Sequence, residues 1–404
     1  MTTDTPEPEL APENGAAASP AADSPPQPRS LRELIDRVTG RDLDTSRPQN
    51  DAGIADVVPF PFLALVGQQE MKLALLLAMI NPAIGGVLLI GPRGTGKTTT
   101  VRSLADLLPD VPRSLCYYGC LPEDVENGGI DAICPDCARK YAAGEPLAAM
   151  DKVRLVELPL NARMDDVVGG ADERAAIHER YALRRGILAQ ADRNLLYLDE
   201  VNLLKDDVID AILDAAAQGY YTVRRGSLSA TFRSRFTLVG SMNPEEGRLR
   251  PQIMDRFGLR VVVRGLTDPE ERMRAYQYVH AYQTNPRGMA ANFAEETALA
   301  QKEIQIARDL LPQVVLPDAV AKLGLTLIGR LKIDSLRAEI TLFESARAHA
   351  IADGRLEVEP QDIHAVAALA LRLRRSEFMN RYFADRSTEE QQMTELLDEV
   401  LKDL

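Results

Sequence analysis

Residues Gly91-Pro92-Arg93-Gly94-Thr95-Gly96-Lys97-Thr98 have the spacing of a phosphate-binding loop, a glycine-rich turn closed by a lysine and a hydroxyl. The apolar run Val87 to Ile90 precedes the loop, and Thr99 to Leu104 reads as the start of a helix. Glycine lets the backbone wrap closely around an anion. The N–H groups at the head of the following helix then point at the phosphates. Lys97 would reach the β- and γ-phosphates, and the Thr98 hydroxyl would ligate Mg²⁺. Gly91, Pro92, Arg93, Gly94, Thr95, Gly96, Lys97, Thr98 and Thr99 together form the candidate nucleotide-binding segment. A bare strand–helix turn is the alternative, and the strand before and helix after it argue against that.

Other residues turn binding into hydrolysis. The run Leu195 to Leu198 ends in Asp199 and Glu200, an apolar strand with two carboxylates at its tip. Asp199 would hold Mg²⁺ beside Thr98, and Glu200 would polarise an attacking water. Phe236 to Gly240 reads as another strand, followed by Ser241-Met242-Asn243-Pro244-Glu245-Glu246-Gly247. Asn243 could orient the water near the γ-phosphate, although Asn-Pro also starts turns. Arg256 and Arg337 are candidates for stabilising charge on a transferring phosphoryl group, across a subunit boundary in the case of a finger arginine. Each could equally be a surface ion pair.

The four cysteines fall in one segment, Cys116 and Cys120 followed by Cys134 and Cys137. Two close pairs at such a separation are the ligand layout of a tetrahedral Cys₄ zinc site. Such a site is structural, because four thiolates leave no coordination position open. Gly119 and Pro135 suit the tight turns it needs.

These residues need a scaffold. From Val87 to about Gly265 short apolar strands alternate with helical segments, which predicts an α/β fold with a parallel five-stranded sheet. The strands are expected at Val87 to Ile90, Arg154 to Leu158, Leu195 to Leu198, Phe236 to Gly240 and Leu259 to Val263. From Asp268 onward the pattern is helical only. The expected division is a disordered tail and linker over 1–56 with one short helix (Leu31 to Leu43), an α/β nucleotide-binding domain over 57–265 with a cysteine insertion at 113–145, and a helical domain over 266–404. The last helix is expected at Glu389 to Leu404.

Composition narrows the class. The chain has 404 residues, 45% of them apolar, and a formal net charge of −13. That acidity argues against a general nucleic-acid binder, which displaces counterions with a basic surface. No run approaches the roughly 20 apolar residues of a membrane helix. The start of the chain lacks a secretory pattern, so a cytoplasmic protein is expected.

The P-loop, the Asp199-Glu200 strand end, Asn243, Asp255-Arg256-Phe257-Gly258 and the helical C-terminal part resemble the AAA+ ATPases. Phe62 to Gln68, Asn81 to Val87, Arg93 to Lys97, Val101 to Pro109, Leu158 to Ala162, Gly240 to Gly247 and Leu249 to Gly258 look like the I subunit of magnesium chelatase. The resemblance covers about residue 57 to about 380, and the Ser241 to Gly247 block is its most specific part. It implies ATP as nucleotide, Arg256 as arginine finger and Arg337 as sensor 2. It implies an insertion at Val153 to Ile177 and a β-hairpin at Tyr220 to Phe236. It further implies a hexameric ring, a D-subunit partner with an integrin-like domain, and a porphyrin-binding H subunit that inserts Mg²⁺ into protoporphyrin IX.

The chain departs from that family in places. Its cysteine segment stands where the family has a non-zinc loop or isolated thiols. Pro92 replaces a usual acidic residue, and acidic positions of the hairpin read Val223-Arg224-Arg225-Gly226. These changes leave hydrolysis intact and open a second reading, a MoxR-like ATPase serving another metal-insertion or remodelling complex. A DNA-associated ATPase is a third reading, favoured only by Arg224, Arg225, Arg233 and Arg235.

Overall fold

The computed structural model describes residues 58–171, 183–226 and 228–374. The expected helices Leu31 to Leu43 and Glu389 to Leu404, and the tail, lie outside the described residues. In chain order the strands are β1 (Val87–Ile90), β2 (Val111–Ser114), β3 (Ala148–Asp151), β4 (Leu155–Leu158), β5 (Gly169–Ala171), β6 (Leu183–Arg185), β7 (Leu195–Leu198), β8 (Tyr220–Arg225), β9 (Leu228–Arg233), β10 (Thr237–Met242) and β11 (Leu259–Val262). The helices begin with α1 (Gln69–Ile80), α2 (Lys97–Leu104), α3 (Pro122–Gly128), α4 (Pro135–Ala142), α5 (Met164–Val168), α6 (Ile187–Gln190) and α7 (Asp206–Gln218). They continue with α8 (Pro251–Arg256), α9 (Pro269–Thr284), α10 (Pro286–Asn292), α11 (Ala294–Leu310), α12 (Asp318–Arg330), α13 (Leu336–Ala352) and α14 (Pro360–Leu371).

Five strands form one sheet in the order β11-β1-β10-β7-β4, and every neighbouring pair is parallel. Alternate residues of a strand point to opposite faces, and here each face has its own core. Val87, Leu89, Leu195, Tyr197, Val239, Leu259 and Val261 join the core that contains Leu75 and Ala78 of α1 and Leu342 and Ala346 of α13. Leu88, Ile90, Leu196, Leu198, Leu238 and Met242 join the core that contains Val208 and Ile212 of α7, Phe232 and Phe257. A sheet covered on both faces needs strands apolar at every position, which is why the runs read as continuous rather than alternating.

Helix α1 ends at Ile80 because Asn81 and Pro82 follow. The Asn81 side chain accepts the Ala83 N–H at 3.1 Å and donates to Glu344 of α13 at 2.7 Å. The helical region is thereby tied to the strand-bearing part at the mouth of β1. At the other side, the guanidinium of Arg260 on β11 donates to Arg372 O at 3.1 Å.

Several boundaries differ from the expected ones. Strand β10 starts at Thr237 and runs on to Met242, because its register with β1 pairs Ile90 with Met242. Arg154 lies before β4, its N–H taken by the Asn194 side chain at 2.8 Å. The antiparallel pair β2–β3 and helix α10 had no signal clear enough to expect. The hairpin expected at Tyr220 to Phe236 is β8–β9, paired from Tyr220 with Arg233 to Arg225 with Leu228.

The turn into β11 brings backbone close to backbone. A Cβ on Gly258 would sit 1.8 Å from the Ile84 carbonyl oxygen. Gly258→Ala is therefore expected to cost about 3 kcal/mol, read as a fall in the denaturant midpoint. An unchanged midpoint would contradict this packing.

Candidate functional site

The phosphate-binding loop leaves the C-terminal end of β1 and enters α2. Gly94 and Gly96 have φ of +76° and +84°, a left-handed conformation that L side chains rarely adopt. A Cβ at either would meet nothing within 4 Å, so conformation and not space requires glycine there. Lys97 folds back over the loop, its Nζ donating to Gly91 O at 2.7 Å and Pro92 O at 2.8 Å. Partial burial lowers its pKa, with Asp199, Glu200 and Glu246 opposing the shift.

Parallel pairing brings the ends of three strands together here. The cleft is lined by Arg93 to Thr99, by Asp199 and Glu200 after β7, and by Ser241, Met242 and Asn243 at the end of β10. Thr98 Oγ1 lies 3.5 Å from Asp199 Oδ2 and 3.2 Å from the Tyr197 hydroxyl. Asp199 Oδ1 accepts from Tyr197 at 2.8 Å and from Ser241 Oγ at 2.6 Å. Ser241 Oγ in turn accepts the Glu200 N–H at 3.2 Å. Asp199 is thus aimed with one oxygen tied down and the other turned to Thr98.

Glu200 adopts φ +51°, an uncommon conformation for a residue with a side chain. Its carboxylate meets Arg93 Nη2 at 3.2 Å, and Arg93 also pairs with Glu246. Asn243 is buried, 3% exposed, and its Oδ1 accepts the Glu245 N–H at 3.2 Å. That bond is the turn expected of Asn-Pro, while its place in the cleft wall is what a sensor role requires.

Tyr197, Ser241 and Glu246 are site residues that sequence reasoning did not single out. The signal for Tyr197 was present: a two-residue spacing along β7 puts its hydroxyl on the same face as Asp199. Burial pushes the Tyr197 pKa up, which keeps the phenol protonated as a donor. Ser241 and Glu246 stood in the block that carries the family resemblance, but nothing in the sequence gave either a role of its own.

The arginines stand apart. Arg256, at the end of α8, pairs with Asp214 of α7 and is 30% exposed. Arg337, in the first turn of α13, is 52% exposed and lies 3.9 Å from Asp255. Neither lines the cleft of its own chain. Asp255 also meets two buried guanidinium groups, Arg374 at 2.7 Å and Arg260 at 3.2 Å.

The cysteines converge as their spacing predicts. The Sγ atoms of Cys116, Cys120, Cys134 and Cys137 all lie within 4.8 Å of one another. Zn–S bonds of about 2.3 Å place tetrahedral thiolates roughly 3.8 Å apart, so the set fits that ion. Backbone N–H groups converge on the same sulfurs, Cys120 N on Cys116 Sγ at 3.2 Å and Cys134 N on Cys120 Sγ at 3.3 Å. A hydrogen bond from Cys120 lowers the Cys116 pKa, and burial pushes that of Cys137 up. Among the described residues no helix is long and apolar enough to cross a membrane.

Comparison with known proteins accounts for this combination. A family model described as magnesium chelatase, subunit ChlI, matches residues 170–256, and one described as an AAA lid domain matches residues 326–396. The chain is 43% identical over 317 residues to the magnesium-chelatase 38 kDa subunit of Acidiphilium rubrum, spanning 78% of this chain and 90% of that protein. It is 44% identical over 323 residues to the magnesium-chelatase subunit ChlI homolog of Methanocaldococcus jannaschii, spanning 79% and 87%. A solved structure of the complex between subunits BchI and BchD of magnesium chelatase is 39% identical, covers 79% of this chain and 96% of its own, and has a TM-score of 0.45. Sequence identity over nine-tenths of a relative, together with the Thr98–Asp199–Ser241 cleft, decides the matter: the chain belongs to the ChlI subunit family of magnesium chelatase.

Proposed function

We propose that the chain is the ATP-hydrolysing AAA+ motor of a magnesium chelatase, whose turnover drives insertion of Mg²⁺ into protoporphyrin IX for chlorophyll or bacteriochlorophyll synthesis. The observation that carries this reading is the cleft in which Thr98, Asp199, Glu200 and Asn243 converge on a phosphate-binding loop, in a chain 43% identical to a magnesium-chelatase subunit. Lys97 exchanges its two loop carbonyls for phosphate oxygens. Thr98 and Asp199 would hold the Mg²⁺ that accompanies ATP, and that ion would supply positive charge against the phosphates. Glu200 takes the proton from the attacking water, and its backbone, fixed by Ser241, directs the carboxylate. Asn243 orients that water.

Arg256 and Arg337 are exposed enough to leave their in-chain acids and serve a neighbouring subunit in a hexameric ring. In that ring Arg256 acts as the finger and Arg337 as sensor 2. The partners in this reading are an integrin-like-domain D subunit and a porphyrin-binding H subunit, and the compartment is cytoplasmic. The metal chemistry of the porphyrin belongs to those partners. A motor for a different metal-insertion or remodelling complex uses the same cleft, and the cysteine module is the observation that favours it. The DNA reading loses most of its support, because three of its four arginines are paired, Arg233 and Arg235 with Asp124 and Arg225 with Asp165.

The cysteine module holds one structural Zn²⁺. Its support is the convergence of four sulfurs around a small apolar cluster of Ile133 and Leu147. A divalent ion would displace the thiol protons and tie two chain segments that have little core of their own.

Glu200→Gln is expected to lower kcat for ATP by about 10²- to 10⁴-fold while leaving nucleotide binding in place. Rings trapped by this variant should retain the D and H subunits in a pull-down; wild-type turnover in it would remove Glu200 from the mechanism. Tyr197→Phe removes a bond to Asp199 and should raise the Mg²⁺ requirement for half-maximal activity about three- to tenfold, with little change in folding. Metal analysis of the purified chain should find one zinc per polypeptide. Less than about half that amount would refute the site.

A further inference from the structure

The cysteine module is not an isolated appendage. Tyr117 and Tyr118 lie between Cys116 and Cys120, inside the loop whose two ends would bind the same metal. Both rings pack on Phe232 of β9, a side chain 1% exposed. Tyr118 stacks on it with centroids 6.1 Å apart and planes at 19°, and Tyr117 meets it edge-on at 5.9 Å. The Tyr117 hydroxyl donates to Leu183 O on β6, and the Arg185 guanidinium lies 5.4 Å above its ring.

Helix α3, between the cysteine pairs, adds charge to the same seam. Asp124 is buried and caps its own helix by accepting the Leu121 N–H at 2.7 Å. It also pairs with Arg233 Nη1 at 2.5 Å, at the end of β9. Glu123 pairs with Arg193 at 2.7 Å, just before β7. The seam therefore grips the β8–β9 hairpin, strand β6 and the approach to β7. Beyond Arg233 the chain is pinned by Ser234 N on Gly219 O at 2.9 Å and Arg235 N on Asp192 Oδ1 at 2.8 Å. It then enters β10, which carries the cleft residue Ser241 and leads directly into Asn243.

We propose that the metal-loaded cysteine module is a clamp that holds the β8–β9 hairpin, and through it β10, in the position required for ATP hydrolysis, with Tyr117, Tyr118 and Asp124 as its positioning residues. The proposal rests on the zinc reading given above. With the ion bound, the Cys116–Cys120 loop presents both tyrosines as a rigid platform. Without it, that loop loses the link to Cys134 and Cys137, and Phe232 and Arg233 lose their supports together. The seam reaches the cleft through β10 rather than through the phosphate-binding loop, so its loss lowers turnover more than nucleotide affinity.

Hydrogen exchange on the full-length chain, with zinc content measured on the same samples, tests this. Chelation of the zinc should quicken exchange of the amides at 220–233 by at least about tenfold, which is roughly 1.4 kcal/mol of local stability, in addition to the amides of 116–142. Arg233→Gln, altered on the hairpin side only, should keep a full complement of zinc yet show quickened exchange at 220–233 and lower kcat at unchanged ATP affinity. Quickening confined to 116–142 after chelation, with zinc present beforehand, would overturn the clamp and leave the zinc site standing. Finding no zinc in the purified chain would overturn both. Unchanged exchange and kcat in a zinc-loaded Arg233→Gln/Tyr118→Ala chain would also overturn the clamp.

Discussion

The parallel pairing of β1 with β10 and of β10 with β7 is the constraint on which the site depends. In a parallel sheet all strands deliver their carboxyl ends to one edge, and ligands bind there. Register then decides which residues meet. Ile90 stands opposite Met242, and Gly240 opposite Leu198. The phosphate loop, the two carboxylates and Asn243 thereby emerge side by side. A shift of β10 by one residue would turn Ser241 away from Asp199 and expose Leu238 and Met242 to the wrong core. The apolar residues of both faces, each worth roughly 1.5–3 kcal/mol when buried, hold that register.

Charge placed in low-dielectric surroundings is the second theme, and it is used differently in two places. In the cleft, one carboxylate oxygen of Asp199 accepts from two hydroxyls while the other faces Thr98. At the junction of β11 and the helical region, Asp255 is shared by Arg260 and Arg374, both almost without solvent exposure. Arg374 also donates to the Gly258 carbonyl at 2.9 Å and to Phe257 O at 3.3 Å. Buried ion pairs of this kind add little net stability compared with apolar packing, but removing one partner leaves an unpaired charge and is costly. The pairing therefore specifies how the helical region seats on the sheet, next to the helix that ends in Arg256.

Much of this was legible in the chain because the responsible signals are local. A glycine-rich turn needs its dihedrals wherever it is placed, and a strand buried on both faces must be apolar throughout. The cysteine spacing announced convergence because each pair is joined by a short loop. Boundaries were less legible. Strand β10 runs past Gly240 because β1 offers partners to Met242, and Arg154 is excluded from β4 by the side chain of Asn194. Residues of 286–292 form a helix capped by Asn285, whose side chain accepts the Gly288 N–H at 2.9 Å, within a stretch with no apolar period.

Residue types and spacing alone pointed to a nucleotide-phosphate loop, to a strand end with two carboxylates, and to a cysteine set with the spacing of a tetrahedral ion site. Those properties follow from backbone conformations and donor atoms close together in sequence. Tertiary structure decided that Tyr197 and Ser241 aim Asp199, that Arg256 and Arg337 pair with Asp214 and Asp255 rather than line their own cleft, and that the cysteine module packs on Phe232 and Arg233. These depend on contacts between segments far apart in the chain. Such contacts are chosen by strand register and by which buried charges find partners, and neither is written in any short stretch of residues.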